Sequence, residues 1–308
     1  MSGDGALLNV AISDFTDGTS VYIGNSSGTL YYLDRSANIK TYDLDGFNSN
    51  QLKDIVYYDN AVYTLLELKD SYSINKYSLE NSSQVEQNAG INSLQGEEIK
   101  SFTTASDDEA VKFAVLNEET YAYYLSGTKT LMLVKDGADP EVIDVKSLCY
   151  GEDADFFPYF TVSDLAFTDE NLWILVSEVG NEYGLCNLSD VYSRGALIKY
   201  SLESSAPSVY GWSNNQYNNV ENGEEMSYFY GPVRFLAVNS RKITIADHGV
   251  EVEEYTEPRD KKSGVIHNQS AIVTFDIESE ALTFAKTKAL TFGKVVEAAG
   301  CENNFAID

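Results

Sequence analysis

The 308-residue sequence predicts an all-β protein: a β-propeller of five, alternatively six, four-stranded antiparallel blades, forming one domain over residues 1–308. Three observations lead there. One short strand phrase recurs along the chain, each copy sits inside the same order of strands and turns, and convincing amphipathic helices are absent. The composition agrees with this reading. Hydrophobic residues make up 43%, enough for a large core, and 22 tyrosines beside only three methionines favour half-buried β faces.

The phrase occurs as Ile39-Lys-Thr-Tyr-Asp-Leu-Asp-Gly46, Ile74-Asn-Lys-Tyr-Ser-Leu-Glu-Asn81, Leu197-Ile-Lys-Tyr-Ser-Leu-Glu-Ser204 and Ile272-Val-Thr-Phe-Asp-Ile-Glu-Ser279. An apolar residue is followed three positions later by Tyr or Phe and five later by Leu or Ile. These positions do not share one parity, so both faces of the strand are partly buried. A polar or acidic turn then ends the strand. A weaker fifth copy, Leu131-Met-Leu-Val-Lys-Asp-Gly137, is supported upstream by Ala122-Tyr-Tyr-Leu125, which matches Leu30-Tyr-Tyr-Leu33. Anchors at 42, 77, 134, 200 and 275 lie on average about 58 residues apart, which defines five units and a remainder.

Two further strands precede the phrase in each clear unit. Asp54–Tyr58, a turn at Asp59-Asn60 and Val62–Leu66 lead into the Ile74 copy. Leu165–Phe167, a turn at Asp169–Asn171 and Leu172–Val176 lead into the Leu197 copy. Phe235–Val238, a turn at Asn239–Arg241 and Ile243–Ala246 lead into the Ile272 copy, after which Ala281–Phe284 reads as a fourth strand. Such a meander has the size of a propeller blade, whereas a β-sandwich gives no reason to repeat one strand phrase. Closure is left open by three segments. Leu7–Ser13 is extended and available to complete the last blade, Lys294–Asp308 to begin a sixth, and Ile99–Ala105 either ends one blade or opens the next.

Parts of two units resemble known propeller families. Leu30-Tyr-Tyr-Leu-Asp34, with Ile39 and Gly46 following, is similar to the YWTD-type blade phrase, although its Trp-Thr pair is missing. Lys242–Asp247 with Ile272–Asp276 resembles NHL and related six-bladed propellers. The resemblance implies the propeller superfold and no particular activity.

Charge and cysteine content narrow the function classes. Asp and Glu total 48 against 21 Lys and Arg, a formal charge of −27. That excess argues against nucleic acid or an anionic membrane surface as partner, and no stretch is long and apolar enough for a transmembrane segment. The beginning of this chain lacks the basic and apolar regions of a signal peptide. The abundance of Asn, Ser, Tyr and Asp resembles exported bacterial proteins, so export to the periplasm or cell surface is expected. Sequons at Asn25, Asn81, Asn187 and Asn268 are what chance gives in a chain this rich in Asn and Ser. Cys149, Cys186 and Cys301 form no CxxC or zinc pattern. They read as isolated buried thiols, with a Cys149–Cys186 disulfide left open.

The long connections are the candidate binding elements. In a four-stranded blade the second-to-third and blade-to-blade connections share one end of the sheet. The long stretches Ser147–Tyr159, Ser177–Gly195, Gly211–Gly231 and His248–Ser270 all fall in this class, while turns at the other end, Glu80–Ser83 and Glu203–Ser208 included, read as short. Trp212 and Tyr217, in Trp212-Ser-Asn-Asn-Gln-Tyr217, and Tyr228 and Tyr230, around Phe229, join aromatics to amides. Asp247 and His248 end a predicted strand. These six are the candidate ligand contacts, for a protein, peptide or glycan, and deletion of Gly211–Gly231 is expected to abolish binding and leave the fold intact. Glu251, Glu253, Glu254 and Glu257, ahead of Arg259, Lys261 and Lys262, read as a solvated charged loop.

No catalytic residue, metal site or cofactor is assigned. No GxSxG elbow or phosphate loop is present, and the acids at Asp107–Glu109 and Glu152–Asp155 lack calcium-loop spacing. The expected function is therefore a non-enzymatic binding module. The alternative is a propeller hydrolase, lactonase or lyase with a metal or His248 near the central channel.

Overall fold

The computed structural model describes residues 7–12, 21–25, 29–33, 39–44, 52–58, 61–79, 92–105, 108–150, 160–168, 170–181, 191–212, 229, 231–247, 253–257, 260–265 and 271–286. They belong to two compact units, Met1–Ile143 and Asp144–Asp308.

Among the described residues, three sheets make up the first unit. The first contains β1 (Leu7–Ile12), β2 (Val21–Asn25), β3 (Thr29–Leu33) and β4 (Ile39–Leu44), with the short β8 (Asn92–Leu94) added in parallel to β4. The second contains β5 (Leu52–Tyr58), β6 (Ala61–Glu67), β7 (Tyr72–Ser78) and β9 (Gly96–Phe102); the third contains β10 (Ala110–Val115), β11 (Tyr121–Leu125), β12 (Thr130–Val134) and β13 (Glu141–Ile143). In the second unit, α1 (Val145–Tyr150) precedes β14 (Phe160–Thr168), β15 (Asn171–Asn181), β16 (Val191–Ser201) and β17 (Pro207–Tyr210), which form the fourth sheet. The fifth is β18 (Pro232–Val238), β19 (Lys242–Asp247), β22 (Ala271–Asp276) and β23 (Ala281–Lys286), with a separate hairpin, β20 (Glu253–Glu257) and β21 (Asp260–Val265), inserted between β19 and β22.

Within each unit, successive sheets pack face to face with their first strands side by side: β1 against β5 and β5 against β10 in the first, β14 against β18 in the second. These are the blades of a β-propeller. Because a blade is covered on both faces, its second strand is buried along a continuous, mostly apolar run. Ala61–Leu66 of β6 are all buried, as are Leu172–Val176 of β15. The outer strand β9 is largely exposed and carries Glu97, Glu98 and Lys100, charges that blunt a sheet edge against stray pairing.

Aromatic residues fill the inter-sheet spaces. Between the second and third sheets, Tyr72, Phe102, Tyr123 and Tyr121 form a run of stacked rings with centroids 5.6, 4.2 and 6.5 Å apart. Burial pushes the Tyr121 and Tyr123 phenols above their ordinary value. In the second unit, Trp173, Phe229, Phe235 and Phe275 form one core with Leu175, Leu197, Ile243 and Val273.

The recurring phrase is the third strand of a sheet together with its turn. Ile74 and Tyr77, Leu197 and Tyr200, and Phe275 are buried. The polar residue after the aromatic caps the turn. Ser201 Oγ accepts the Ser204 N–H at 3.2 Å, and at the matching position Asp276 Oδ1 accepts the Ser279 N–H at 2.8 Å. Those hydrogen bonds hold the Asp276 carboxyl below its ordinary value. The next residues, Ser205 and Glu280, share a left-handed backbone, φ 53° and 52°.

Two sequence expectations change, at the Ile39 phrase and at Glu80–Ser83, and two segments left open find their places. The Ile39 copy lies on β4, the fourth strand of its sheet. There the parallel β8 covers the outer edge, so β4 is flanked on both sides and buries Tyr42 and Leu44 beside Leu94, the environment the phrase suits. Leu7–Ile12 belongs to the first sheet, paired to β2. The Ile99–Ala105 segment ends the second blade, through β9 pairing with β7. The third-to-fourth connection of that blade is consequently not the short turn read at Glu80–Ser83, because it runs from 79 to 95 and contributes β8 to the neighbouring sheet. Lys294–Asp308 lies outside the described residues.

Candidate functional site

In the second unit, chain topology separates two kinds of connection. The first-to-second and third-to-fourth turns span 169–170, 202–206, 239–241 and 277–280. The remaining connections span 182–190, 211–231 and 248–270. Antiparallel order puts all three at the same end of these two sheets, the end expected from the sequence, but the expected Ser177–Gly195 connection is shorter, because 177–181 and 191–195 pair as the ends of β15 and β16.

Trp212 follows β17 at that end. It is half-buried, its ring edge-on to Tyr150 of α1 at 4.9 Å and 89°, and Tyr150 in turn meets Phe160 of β14 at 6.0 Å. Tyr150 is positioned by α1, whose start is capped by Asp144. Asp144 Oδ1 accepts the Ser147 N–H at 3.1 Å, and Oδ2 accepts the Ser147 hydroxyl at 2.6 Å. Cys149, on the same turn of helix, is half-buried. Cys186 and Cys301 lie outside the described residues.

Asp247 occupies the last position of β19, fully buried, and its Oδ1 accepts the Gly231 N–H at 2.9 Å. The 211–231 connection is anchored a second time by Phe229. Its ring is fully buried and lies 5.5 Å from Phe284, while its backbone bridges to Gly195 and to the Gly211 carbonyl at 3.2 Å. Two glycines allow the close approaches here, Gly195 to the β15 backbone and Pro232, and Gly211 to the Phe229 ring. A Cβ on Gly195 would stand 2.6 Å from the Val176 carbonyl oxygen and 2.3 Å from the Pro232 ring; one on Gly211 (φ 74°) would stand 2.5 Å from the Phe229 ring. The expectation that the whole Gly211–Gly231 stretch can be removed without harm is corrected accordingly, because Phe229 is part of the core. Of the six predicted contacts, Trp212 and Asp247 are described; Tyr217, Tyr228, Tyr230 and His248 lie outside the described residues.

The charged residues inside the first strands are a feature that sequence reading missed. Each first strand carries a register shift near its start, just before Asn9, Asp54, Lys112, Asp164 and Arg234, the third residue of the strand in every case but β14, where Asp164 is the fifth. In both units an acid there reaches the next sheet. Asp54 Oδ2 accepts the Phe113 N–H at 3.2 Å with Lys112 Nζ 3.7 Å away, and Asp164 Oδ2 accepts the Phe235 N–H at 2.8 Å. Asp54 is 2% exposed, and a buried carboxylate persists only with such partners. The available signal was an acid within an apolar strand, in Leu52-Lys-Asp-Ile-Val56 and Val162-Ser-Asp-Leu-Ala166. These acids clasp neighbouring blades together.

Among the described residues no cluster of three or more His, Cys, Asp or Glu could hold a metal ion, and no helix is long and apolar enough to cross a membrane.

The TdpA C-terminal domain family matches residues 154–299. No curated protein matches the chain in sequence. Among solved structures, the Dos1 propeller is 10% identical with a TM-score of 0.43, over 92% of this chain and 62% of that one. A protein of unknown function from Bacteroides caccae is 9% identical with a TM-score of 0.48, covering 94% and 84%. The virginiamycin B lyase of Staphylococcus aureus is 9% identical with a TM-score of 0.42, covering 94% and 87%. The chain thus spans less than two thirds of the Dos1 structure, and the propeller assignment stands on the sheets described above.

Proposed function

We propose that residues 1–308 form one domain that acts as an exported, non-enzymatic binding module. It recognises a protein, peptide or glycan through the end of the fourth and fifth sheets that carries the long connections. Trp212, Tyr217, Tyr228, Tyr230 and His248 contact the ligand in this reading, with Asp247 holding the return of the chain into β18. The observation that supports it is the gathering of every long connection of the second unit at one end of its sheets, with the Trp212–Tyr150 aromatic pair at their base. Aromatic rings beside amides supply large contact area and adaptable hydrogen bonds at small entropic cost.

The test is a peptide and glycan array screened with the wild-type protein, Trp212→Ala and a deletion of residues 213–227. Both variants are expected to keep the wild-type melting temperature within a few degrees. Trp212→Ala should weaken any ligand found by about tenfold or more, and the deletion should abolish binding. Undiminished binding by both variants would place the ligand elsewhere. Release of a cleaved or eliminated product from the ligand would replace the binding reading with an enzymatic one. Export is checked by fractionating the source cells.

A further inference from the structure

A groove of about 330 Å3 lies between the second and third sheets, at the end bearing the β5–β6 and β10–β11 turns. One wall is Tyr58 at the close of β5, Tyr63 of β6, and Lys76 of β7, which faces Tyr63 across the ladder. The other wall is the turn bearing Asn117, Glu118 and Glu119. That turn is braced by its own side chain, since Asn117 Oδ1 accepts the N–H groups of Glu119 at 2.9 Å and Thr120 at 2.8 Å. The groove is therefore formed before any ligand arrives.

Its charge selects the occupant. Lys76 Nζ is paired with Glu118 at 2.8 Å and stands opposite Glu97 in the β7–β9 ladder. The Glu118 hydrogen bond keeps Lys76 charged, raising it above its ordinary value against the effect of burial. Glu119 is exposed, and its carboxylate enters no ion pair among the described residues. Glu118 and Glu97 thus flank one already neutralised lysine, and Glu119 lines the same groove, on a chain of net charge −27. An anion is repelled here, and a neutral ligand covering Glu119 would strip water from the carboxylate without replacing it. A cation satisfies Glu119 and gains from the half-buried ring of Tyr58, while Tyr63, 3% exposed and part of the core, closes the floor of the groove. A flat guanidinium matches a carboxylate and an aromatic face together better than an ammonium does.

We infer that this groove takes an arginine side chain presented by a peptide partner. The site is in the first unit and is separate from the long connections discussed above. To test it, protein labelled in its tyrosine rings is titrated with N-acetyl-arginine amide and, in parallel, with N-acetyl-glutamine amide, and followed by NMR. Saturable shifts of the Tyr58 and Tyr63 ring signals with the arginine compound alone are expected. Glu119→Gln, a change on an exposed turn, should weaken the interaction about fivefold, and added salt should weaken it further. Equal shifts with the glutamine compound, arginine shifts that bypass Tyr58 and Tyr63, or an unchanged affinity in Glu119→Gln would each overturn the assignment.

Discussion

Phe229→Ala should lower the stability of the second unit by about 3–5 kcal/mol, the range for truncating a fully buried aromatic. The ring sits in a core with Trp173, Phe235 and Phe275, and deleting it leaves a cavity that Gly211, lacking a side chain, cannot fill. Urea unfolding followed by tryptophan fluorescence reads this directly, since both tryptophans lie in the second unit. Removing all of 211–231 should be at least as damaging as the point mutation, because it discards Phe229 and the Gly231 N–H that Asp247 binds. Removing 213–227 alone keeps both anchors and should cost little, since loop closure depends only weakly on length. If Phe229→Ala unfolds at the wild-type urea midpoint, the ring is not the plug described, and the entire connection regains the dispensability expected from sequence.

Asp54→Ala is the second large effect, about 2–3 kcal/mol. The substitution strands the N–H of Phe113, which is fully buried, and removes the carboxylate beside Lys112. Asp54→Asn keeps an acceptor of the same shape and should cost distinctly less. At the matching position, Asp164→Ala should cost about 1–2 kcal/mol, because Asp164 is half-buried and water can reach part of the vacated space. Measured urea midpoints that fall equally for the Ala and Asn variants would show that shape, not hydrogen bonding, governs these positions. The clasp joins residues far apart in sequence, so its loss should also reduce the cooperativity with which adjacent sheets unfold.

Much of the blade order was readable because it is local. In the fifth sheet, Phe235–Val238, the 239–241 turn, Ile243–Ala246, the Ile272 phrase and Ala281–Phe284 fall on β18, β19, β22 and β23. Alternation and turn chemistry act over a few residues, and those residues are adjacent in the chain. Two of the turns were equally readable, since in the Leu197 and Ile272 phrases the Ser or Asp after the aromatic bonds the N–H three residues on. Where pairing partners are remote, the reading failed. Nothing within Asn92–Leu94 says that this segment adds to β4 across some fifty residues, and the placement of the Ile39 phrase in the fourth strand follows from that addition.

The candidate site divides along the same line. The end of the sheets that gathers the long connections follows from strand parity, which a sequence displays. Trp212 was identified by residue type, but its partner Tyr150 comes from α1, more than sixty positions earlier, and only packing brings them together. Phe229, Tyr228 and Tyr230 look alike in a sequence. The tertiary structure identifies Phe229 as core, packed with Trp173, Phe235 and Phe275 where Gly211 leaves room for its ring.

By itself, the sequence determined that this chain builds antiparallel meanders, how each turn closes, and that the surface is strongly acidic, for these depend on neighbours in the chain and on charges that simply add. The tertiary structure alone decided which strand borders which sheet, which buried acids join blades, and which aromatic of a loop is structural. Those outcomes depend on the space and the unpaired N–H groups that distant segments present to one another, and no local pattern encodes either.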